Sequence, residues 1–194
     1  MNRIRIAGLA FLPVCLLLVL PGCIVRSAQP WLENDSIVFE ENLLGGWIGK
    51  DGDGAEAAMT FLKNTDKPNS YVVQFVGKDG QGTFTGRVGK FGSDYYLEFQ
   101  PKEGSPGLDG FMLFRTYSAA RLDFTSEQLV VWPLNYEAVK AAAKLDRLRG
   151  VKFVWDDENE LLLVSKTEEL QRFLLSLGRE SDLFAKPMRL TRKK

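Results

Sequence analysis

The chain has 194 residues, of which 45% are hydrophobic, and its 25 Lys and Arg are balanced by 25 Asp and Glu. This length suits one domain. The balanced charge argues against the concentrated basic surface that nucleic-acid binding requires, so we expect no nucleic-acid partner. Histidine is absent, which removes the commonest general base and the commonest metal ligand.

The first residues have the pattern of a secretory signal peptide. Arg3 and Arg5 precede an almost wholly apolar run over residues 6–20, which is shorter than the ~20 residues of a membrane-spanning helix. The run ends in Leu20-Pro21-Gly22-Cys23. This tetrapeptide resembles the lipobox of bacterial lipoproteins, in which a small residue precedes a cysteine. The resemblance implies cleavage after residue 22 and attachment of a diacylglyceryl group to Cys23.

Removal of residues 1–22 would also remove Cys15, and the remaining 172 residues would carry one cysteine and no internal disulfide. Lipidation of Cys23 would dispose of a free thiol in an oxidising compartment. One acyl chain binds a membrane only marginally, at about 0.8 kcal/mol per buried methylene, whereas the two or three chains of bacterial lipoproteins make a lasting anchor. The residue after Cys23 is Ile24 and not Asp. If the cell has two membranes, the resemblance to bacterial lipoproteins then implies export to the outer membrane, on the face toward the periplasm.

Residues 23–36 are mostly polar apart from their start and Trp31-Leu32, and we interpret them as a lipidated tether. Residues 37–194 form a single predicted domain. Its first two thirds alternate apolar and polar residues between turns rich in Gly, Asn and Asp, which predicts antiparallel hairpins in a sandwich or barrel. Strands are predicted at Ala57–Lys63, Tyr71–Val76, Thr83–Val88, Tyr95–Gln100, Phe111–Tyr117, Arg121–Thr125, Gln128–Leu134, Val151–Trp155, Glu160–Val164 and Pro187–Arg192.

Two helices are predicted near the C-terminal end of the chain. Asn135 is a suitable N-cap for a helix over Tyr136–Arg149, and Gly150 is a suitable stop. A second helix begins at Thr167 and ends before Gly178. Its Leu170, Phe173, Leu174 and Leu177 fall at the i, i+3, i+4 and i+7 spacing of one apolar stripe.

Gly45-x-Trp47, within Leu43-Leu44-Gly45-Gly46-Trp47-Ile48-Gly49, resembles the N-terminal motif of lipocalins. In that family the Trp closes the base of the barrel and a late basic residue packs on it. The resemblance covers roughly residues 43–194, and Arg189 or Arg192 would fill the second role. Thr116-Tyr117 does not match the mid-chain Thr-x-Tyr element, because no residue separates the two. The resemblance implies a lipocalin-like antiparallel barrel.

The predicted barrel interior contains aromatic side chains, namely Trp47, Phe75, Phe84, Tyr95, Phe99 and Phe111. Small barrels can be filled by such side chains or leave a cavity among them, and the sequence leaves both open. We expect a non-enzymatic binding module for a small apolar ligand or an envelope partner. The alternative is a structural or assembly accessory with a filled barrel that acts by surface contacts.

The sequence gives only weak support for catalytic or metal sites. Asp51-Gly52-Asp53-Gly54 lacks the later ligands of an EF-hand, and Asp156-Asp157-Glu158 with Glu160 is either a cation site or a solvated hairpin tip. A carboxylate-based hydrolase would need two of these acids to converge in a cleft. No nucleophile with its base is evident, and we expect neither catalytic residues nor a cofactor.

The anchoring hypothesis predicts that the Cys23→Ser variant is lost from membranes, because the thiol that would carry the acyl groups is gone. Fractionation of cells followed by high-salt washing checks this, with the wild-type chain as the control. Processed Cys23→Ser protein that stays in the membrane pellet would contradict the anchor.

Overall fold

The computed structural model describes residues 24–78, 80–102, 116–178 and 181–194, and it is mainly β. A closed eight-stranded antiparallel barrel carries two helices, one of them near the C-terminal end, so the predicted fold class is confirmed. The strands and helices are β1 Arg26–Ser27, β2 Ile37–Val38, β3 Gly45–Lys50, β4 Glu56–Lys63, β5 Tyr71–Gly77, β6 Gly80–Phe91, β7 Asp94–Pro101, β8 Ser118–Phe124, β9 Gln128–Pro133, α1 Tyr136–Lys144, β10 Phe153–Trp155, β11 Leu161–Leu163, α2 Thr167–Ser176 and β12 Met188–Arg192.

The barrel is closed by its last strand. The strand order is β6-β5-β4-β3-β12-β9-β8-β7, and β7 pairs with β6 to complete the circle. Leu190 of β12 pairs with Gly49 on one side and with Leu129 on the other. Strand β6 is long enough to pair with β5 through its first half and with β2 near its end. Closure removes the unpaired edges that an open sheet would present.

Alternate residues of every barrel strand point inward, and cross-strand partners share a face. Trp47 pairs with Met59, which pairs with Phe75, and all three contribute to one apolar cluster. This cluster lies inside the barrel. Its buried members are Leu43, Trp47, Ala57, Met59, Phe61, Tyr71, Val73, Phe84, Val88, Leu97, Ala120, Leu122, Leu129, Val131 and Leu190.

A second apolar cluster lies outside the barrel wall. Strands β1, β11 and β10 form a separate three-stranded sheet in that order, which we call the minor sheet. The minor sheet and both helices pack together over outward-facing side chains of β7 to β9, among them Tyr96, Ala119 and Trp132. The stripe predicted for α2 is confirmed, because Leu170, Phe173 and Leu174 are buried there while Leu177 is partly buried.

Residues 24–36 belong to this outer layer, so the interpretation of 23–36 as a tether is wrong for them. Arg26 and Ser27 form a parallel strand beside β11, and Val25 is buried. Trp31 and Leu32, the apolar pair inside the supposed tether, are also fully buried. The segment packs because its apolar residues find a partner surface that no local sequence pattern reveals.

The carboxylate of Glu98 fastens this segment to the barrel. Glu98 lies on the outward face of β7 and is only 2% exposed. Its Oε2 accepts hydrogen bonds from the backbone N–H groups of Trp31 at 2.5 Å and Leu32 at 3.1 Å. Its Oε1 accepts two from the Arg87 guanidinium, at 2.7 and 2.9 Å. All of the buried charge is thereby compensated by donors, as burial requires.

Several element boundaries differ from prediction. Helix α1 ends at Lys144 rather than Arg149, because Asp146 adopts a φ of 53° and the Arg147 N–H bonds back to the Ala142 carbonyl, which ends the helix. Strand β8 begins at Ser118 rather than Arg121. The strand predicted at Phe111–Tyr117 lies outside the described residues except at its end, where Tyr117 forms a bridge with Ser27.

Replacing Glu98 by Ala would leave the Arg87 guanidinium and two backbone N–H groups without their acceptor. We expect the free energy of unfolding to fall by about 3–5 kcal/mol, as for other broken buried ion pairs. Urea titration measures this loss. Glu56→Ala, which removes an exposed carboxylate at the start of β4, is the control and should change stability by less than about 0.5 kcal/mol. Equal effects of the two substitutions would contradict the role given to Glu98.

Candidate functional site

One end of the barrel is sealed around Trp47, the tryptophan of the Gly-x-Trp motif. The indole is fully buried, and its Nε1–H donates to the Leu43 carbonyl at 2.9 Å. Leu43 ends a short 3₁₀ helix, Glu41–Leu43, that leads into β3. Gly45 has a φ of 111°, and a Cβ there would lie 3.1 Å from an Arg192 nitrogen, so both backbone and space favour glycine.

Arg192, and not Arg189, packs on Trp47. The guanidinium carbon lies 4.2 Å from the indole centroid, a cation–π distance. The same group donates to the carbonyls of Leu44 at 2.8 Å and Asn42 at 2.5 Å, and also to that of Ser126. Arg189 lies one strand position away from an inward-facing residue and points to solvent. Alternation along β12 therefore decides between the two candidates.

The chain before β3 crosses the sealed end and is fixed there by tyrosines. Phe39 stacks on Tyr71 with ring centroids 4.8 Å apart. The Tyr71 hydroxyl accepts from the Glu40 N–H at 2.6 Å and donates to the Glu40 carbonyl at 3.2 Å. The Tyr95 hydroxyl donates to the Glu40 carboxylate at 3.1 Å. Burial of the phenol, opposed by its bond to the Glu40 backbone, raises the pKa of Tyr71 to about 12.

Five of the aromatic residues proposed for the interior lie at inward-facing positions. Trp47 and Phe84 are buried, while Phe75, Tyr95 and Phe99 are partly buried members of the same interior cluster. Phe84 and Phe99 meet edge to face at 5.5 Å. The sixth, Phe111, lies outside the described residues, and so does Cys23.

The periodicity of the sequence did not identify Ser118 as a candidate site residue. It pairs with the inward-facing Phe99, so its side chain shares that face, at the end of β8 opposite to the sealed end. The residue is 1% exposed, and its hydroxyl has no hydrogen-bond partner within the part of the chain that is described. The Thr116 hydroxyl, two residues earlier, is likewise buried and unpaired. A buried hydroxyl without a partner costs about 1–3 kcal/mol, which a polar ligand atom or water would recover.

The proposed acidic cluster does not converge. Asp156 Oδ1 accepts the backbone N–H groups of Glu158 and Glu160, which forms the tip of the β10–β11 hairpin. Glu160 turns away to Lys140 at 3.4 Å and to the hydroxyl of Tyr136. Burial of that hydroxyl, together with its bond to Glu160, raises the pKa of Tyr136. Among residues 24–78, 80–102, 116–178 and 181–194, no three His, Cys, Asp or Glu side chains are grouped to hold a metal ion.

A surface cavity of about 380 Å³ lies at the edge of the minor sheet. It is lined by Gln29, Val164, Lys166, Thr167 and Glu168. The cavity is open and its lining is mixed in polarity, so it differs in character from the apolar barrel interior.

None of the described helices is long and apolar enough to cross a membrane. No protein-family model, no curated protein and no solved structure matches this chain.

Replacing Arg192 by Met would keep much of the packing on Trp47 but remove the charge and the hydrogen bonds to three carbonyls. We expect the free energy of unfolding to fall by about 2 kcal/mol. Arg189→Met, on the solvent side of the same strand, is the matched control and should have little effect. Urea titration followed by tryptophan fluorescence compares the two. A loss at Arg189 as large as at Arg192 would contradict the sealing role.

The raised pKa of Tyr71 predicts a loss of stability in alkali. The folded state holds the phenol proton more tightly than the unfolded chain, whose tyrosine pKa is ~10. The stabilising contribution is therefore complete below pH ~10 and is lost as the pH rises through about 12, at up to about 1.4 kcal/mol per pH unit. Urea titrations across this range should show a shallower decline for Tyr71→Phe than for the wild type. Parallel declines would contradict the assignment to Tyr71.

Proposed function

We propose that this protein is a lipid-anchored lipoprotein of a bacterial envelope whose barrel is a non-enzymatic binding module for a small apolar ligand. The observation that carries the binding role is a closed barrel with an apolar interior, sealed at one end. Toward the other end it holds a buried hydroxyl without a hydrogen-bond partner among the described residues. Apolar lining with few polar groups is typical of ligand sites in proteins.

Ser118 supports a ligand that is apolar over most of its surface and carries one hydrogen-bonding group. Ser118 pairs directly with Phe99 on the neighbouring strand β7, and the ring of Phe99 meets that of Phe84 on β6 edge to face. A hydroxyl can both donate and accept, so it would suit an alcohol, a carbonyl or a carboxyl group.

The similarity to lipocalins supports the same role. The similarity rests on Gly45-x-Trp47 and a late basic residue. Arg192 packs over Trp47, which is the position that the resemblance implies for the basic residue. In this proposal the sealed end is structural, because its polar atoms are already paired within the chain. The proposed location rests on the resemblance of Leu20-Pro21-Gly22-Cys23 to a lipobox, with the outer membrane as the destination in a cell with two membranes.

A structural or assembly accessory is the second candidate, and an exposed part of the barrel wall favours it. Ile48, Ala58 and Val76 are cross-strand neighbours on the outer face of β3 to β5, and Leu62 lies on the same face. Ile48, Leu62 and Val76 are all exposed large apolar side chains. Exposed apolar patches of this kind often mark protein contacts.

The binding role is tested by mass spectrometry of small molecules extracted from the purified protein. We expect a specific apolar molecule with one polar group from the wild type and at least several-fold less from a Thr116→Val/Ser118→Ala variant. The same substitutions should leave stability unchanged or raise it, because they remove buried hydroxyls that have no partner in the described part of the chain.

Two other results would count against the binding role. An empty wild-type protein would favour the accessory role. Equal amounts of bound molecule in the wild type and the variant would contradict the part assigned to Ser118.

A further inference from the structure

The minor sheet has one face on the barrel side and one face toward solvent. Side chains alternate between the two faces in all three strands. Val25, Leu161 and Leu163 are buried on the barrel side. The solvent side, which we call the outer face, consists of Ile24, Arg26, Lys152, Val154, Leu162 and Val164.

Four of the six side chains on the outer face are apolar, although the face is exposed. Val154, Ile24 and Val164 are 47%, 37% and 36% exposed, and Leu162 lies half-buried between them. Val154 pairs with Leu162, and Leu162 pairs with Arg26, so these side chains form a continuous row across the three strands. The Lys152 carbonyl accepts from the Val164 N–H, which places Lys152 at the end of the same face.

The proposed anchor is attached at the edge of this face. Three peptide units separate Cys23 from Arg26, a distance of at most about 10 Å even when fully extended. Arg26 is itself paired with β11, and Val25 is buried. The described part of the fold therefore begins at the residue next to the one that would carry the lipid.

We propose that the outer face of the minor sheet rests on the lipid surface that holds the anchor, an inference that depends on lipidation of Cys23 as proposed above. Exposed aliphatic side chains on an anchored sheet can enter the boundary between headgroups and acyl chains. Arg26 and Lys152 stand beside them, where phosphate groups of lipids would lie.

Acidic side chains limit the electrostatic part of this contact. Asp156 lies 3.9 Å from Arg26 and offsets its charge, and Asp157 and Glu158 follow at the hairpin tip. Contact should therefore depend mainly on the aliphatic side chains and persist on zwitterionic lipid. The hairpin tip would stay at the water-facing rim of the contact.

The exposed barrel wall offers a matched control. Leu62 is 45% exposed on β4, close to the value for Val154, but it belongs to the barrel and not to the sheet that carries the anchor. Cysteine can be introduced singly at either position as a Val154→Cys or a Leu62→Cys variant. The thiol of Cys23 would be occupied by lipid, so a thiol-reactive probe would report one site.

The test uses the full-length processed protein in phosphatidylcholine vesicles whose lipids carry a bromine quencher near the headgroups. A polarity-sensitive fluorophore at Val154→Cys should shift to the blue and be quenched at least twofold more than the same fluorophore at Leu62→Cys. As a check that does not depend on a variant, amide hydrogen exchange of Phe153–Trp155 in the wild type should be slower on vesicles than in detergent.

The other outcomes separate this inference from the anchor. Equal quenching at both sites, in protein that stays on the vesicles through a high-salt wash, would overturn the docking and leave the anchor standing. Protein that leaves the vesicles in that wash would overturn both. Shielding of Val154→Cys in native membranes but not in pure lipid would overturn the lipid contact in favour of an envelope protein on this face.

Discussion

The buried carboxylate of Glu98 joins the two parts of the molecule. It lies outside the barrel, accepts two hydrogen bonds from Arg87 on the neighbouring strand, and accepts two more from the backbone at Trp31 and Leu32. A carboxylate without these donors would be too costly to bury. The segment from residue 24 onward is consequently part of the folded body, and its course over the wall determines where a lipid at Cys23 would sit.

The two ends of the barrel differ in how their polar groups are satisfied. At the sealed end, Trp47, Tyr71 and Arg192 donate to backbone carbonyls of the chain that crosses it, and the plug is complete in itself. Toward the other end, Ser118 is buried and pairs with Phe99, and its hydroxyl has no hydrogen-bond partner among the described residues. Natural proteins leave few such groups. This contrast is the physical reason for expecting a ligand in the barrel, and for expecting its polar group near Ser118.

The helices and the minor sheet cover one side of the barrel, and apolar side chains remain exposed in two places. The wall at Ile48, Leu62 and Val76 belongs to the barrel itself, whereas Val154 and Val164 belong to the sheet that begins next to the proposed anchor. Proximity to the anchor distinguishes the two surfaces. If lipid covers the outer face of the minor sheet, the barrel wall remains available to the envelope partner of the second functional candidate.

Local pattern was sufficient for most of the barrel strands and for the apolar stripe of α2, because period-two and i, i+3, i+4 spacing report directly which side chains a nearby core will cover. The resemblance of Gly45-x-Trp47 to the lipocalin motif named Trp47 and two possible arginines. Only the tertiary structure decided that Arg192 is the partner, since the choice depends on the register of β12 against β3. The packing of residues 24–36 was likewise beyond the sequence, because Glu98 and Trp31 are 67 residues apart. Contacts at that separation arise from packing of the N-terminal segment on the outside of the barrel wall, which no short window of sequence contains.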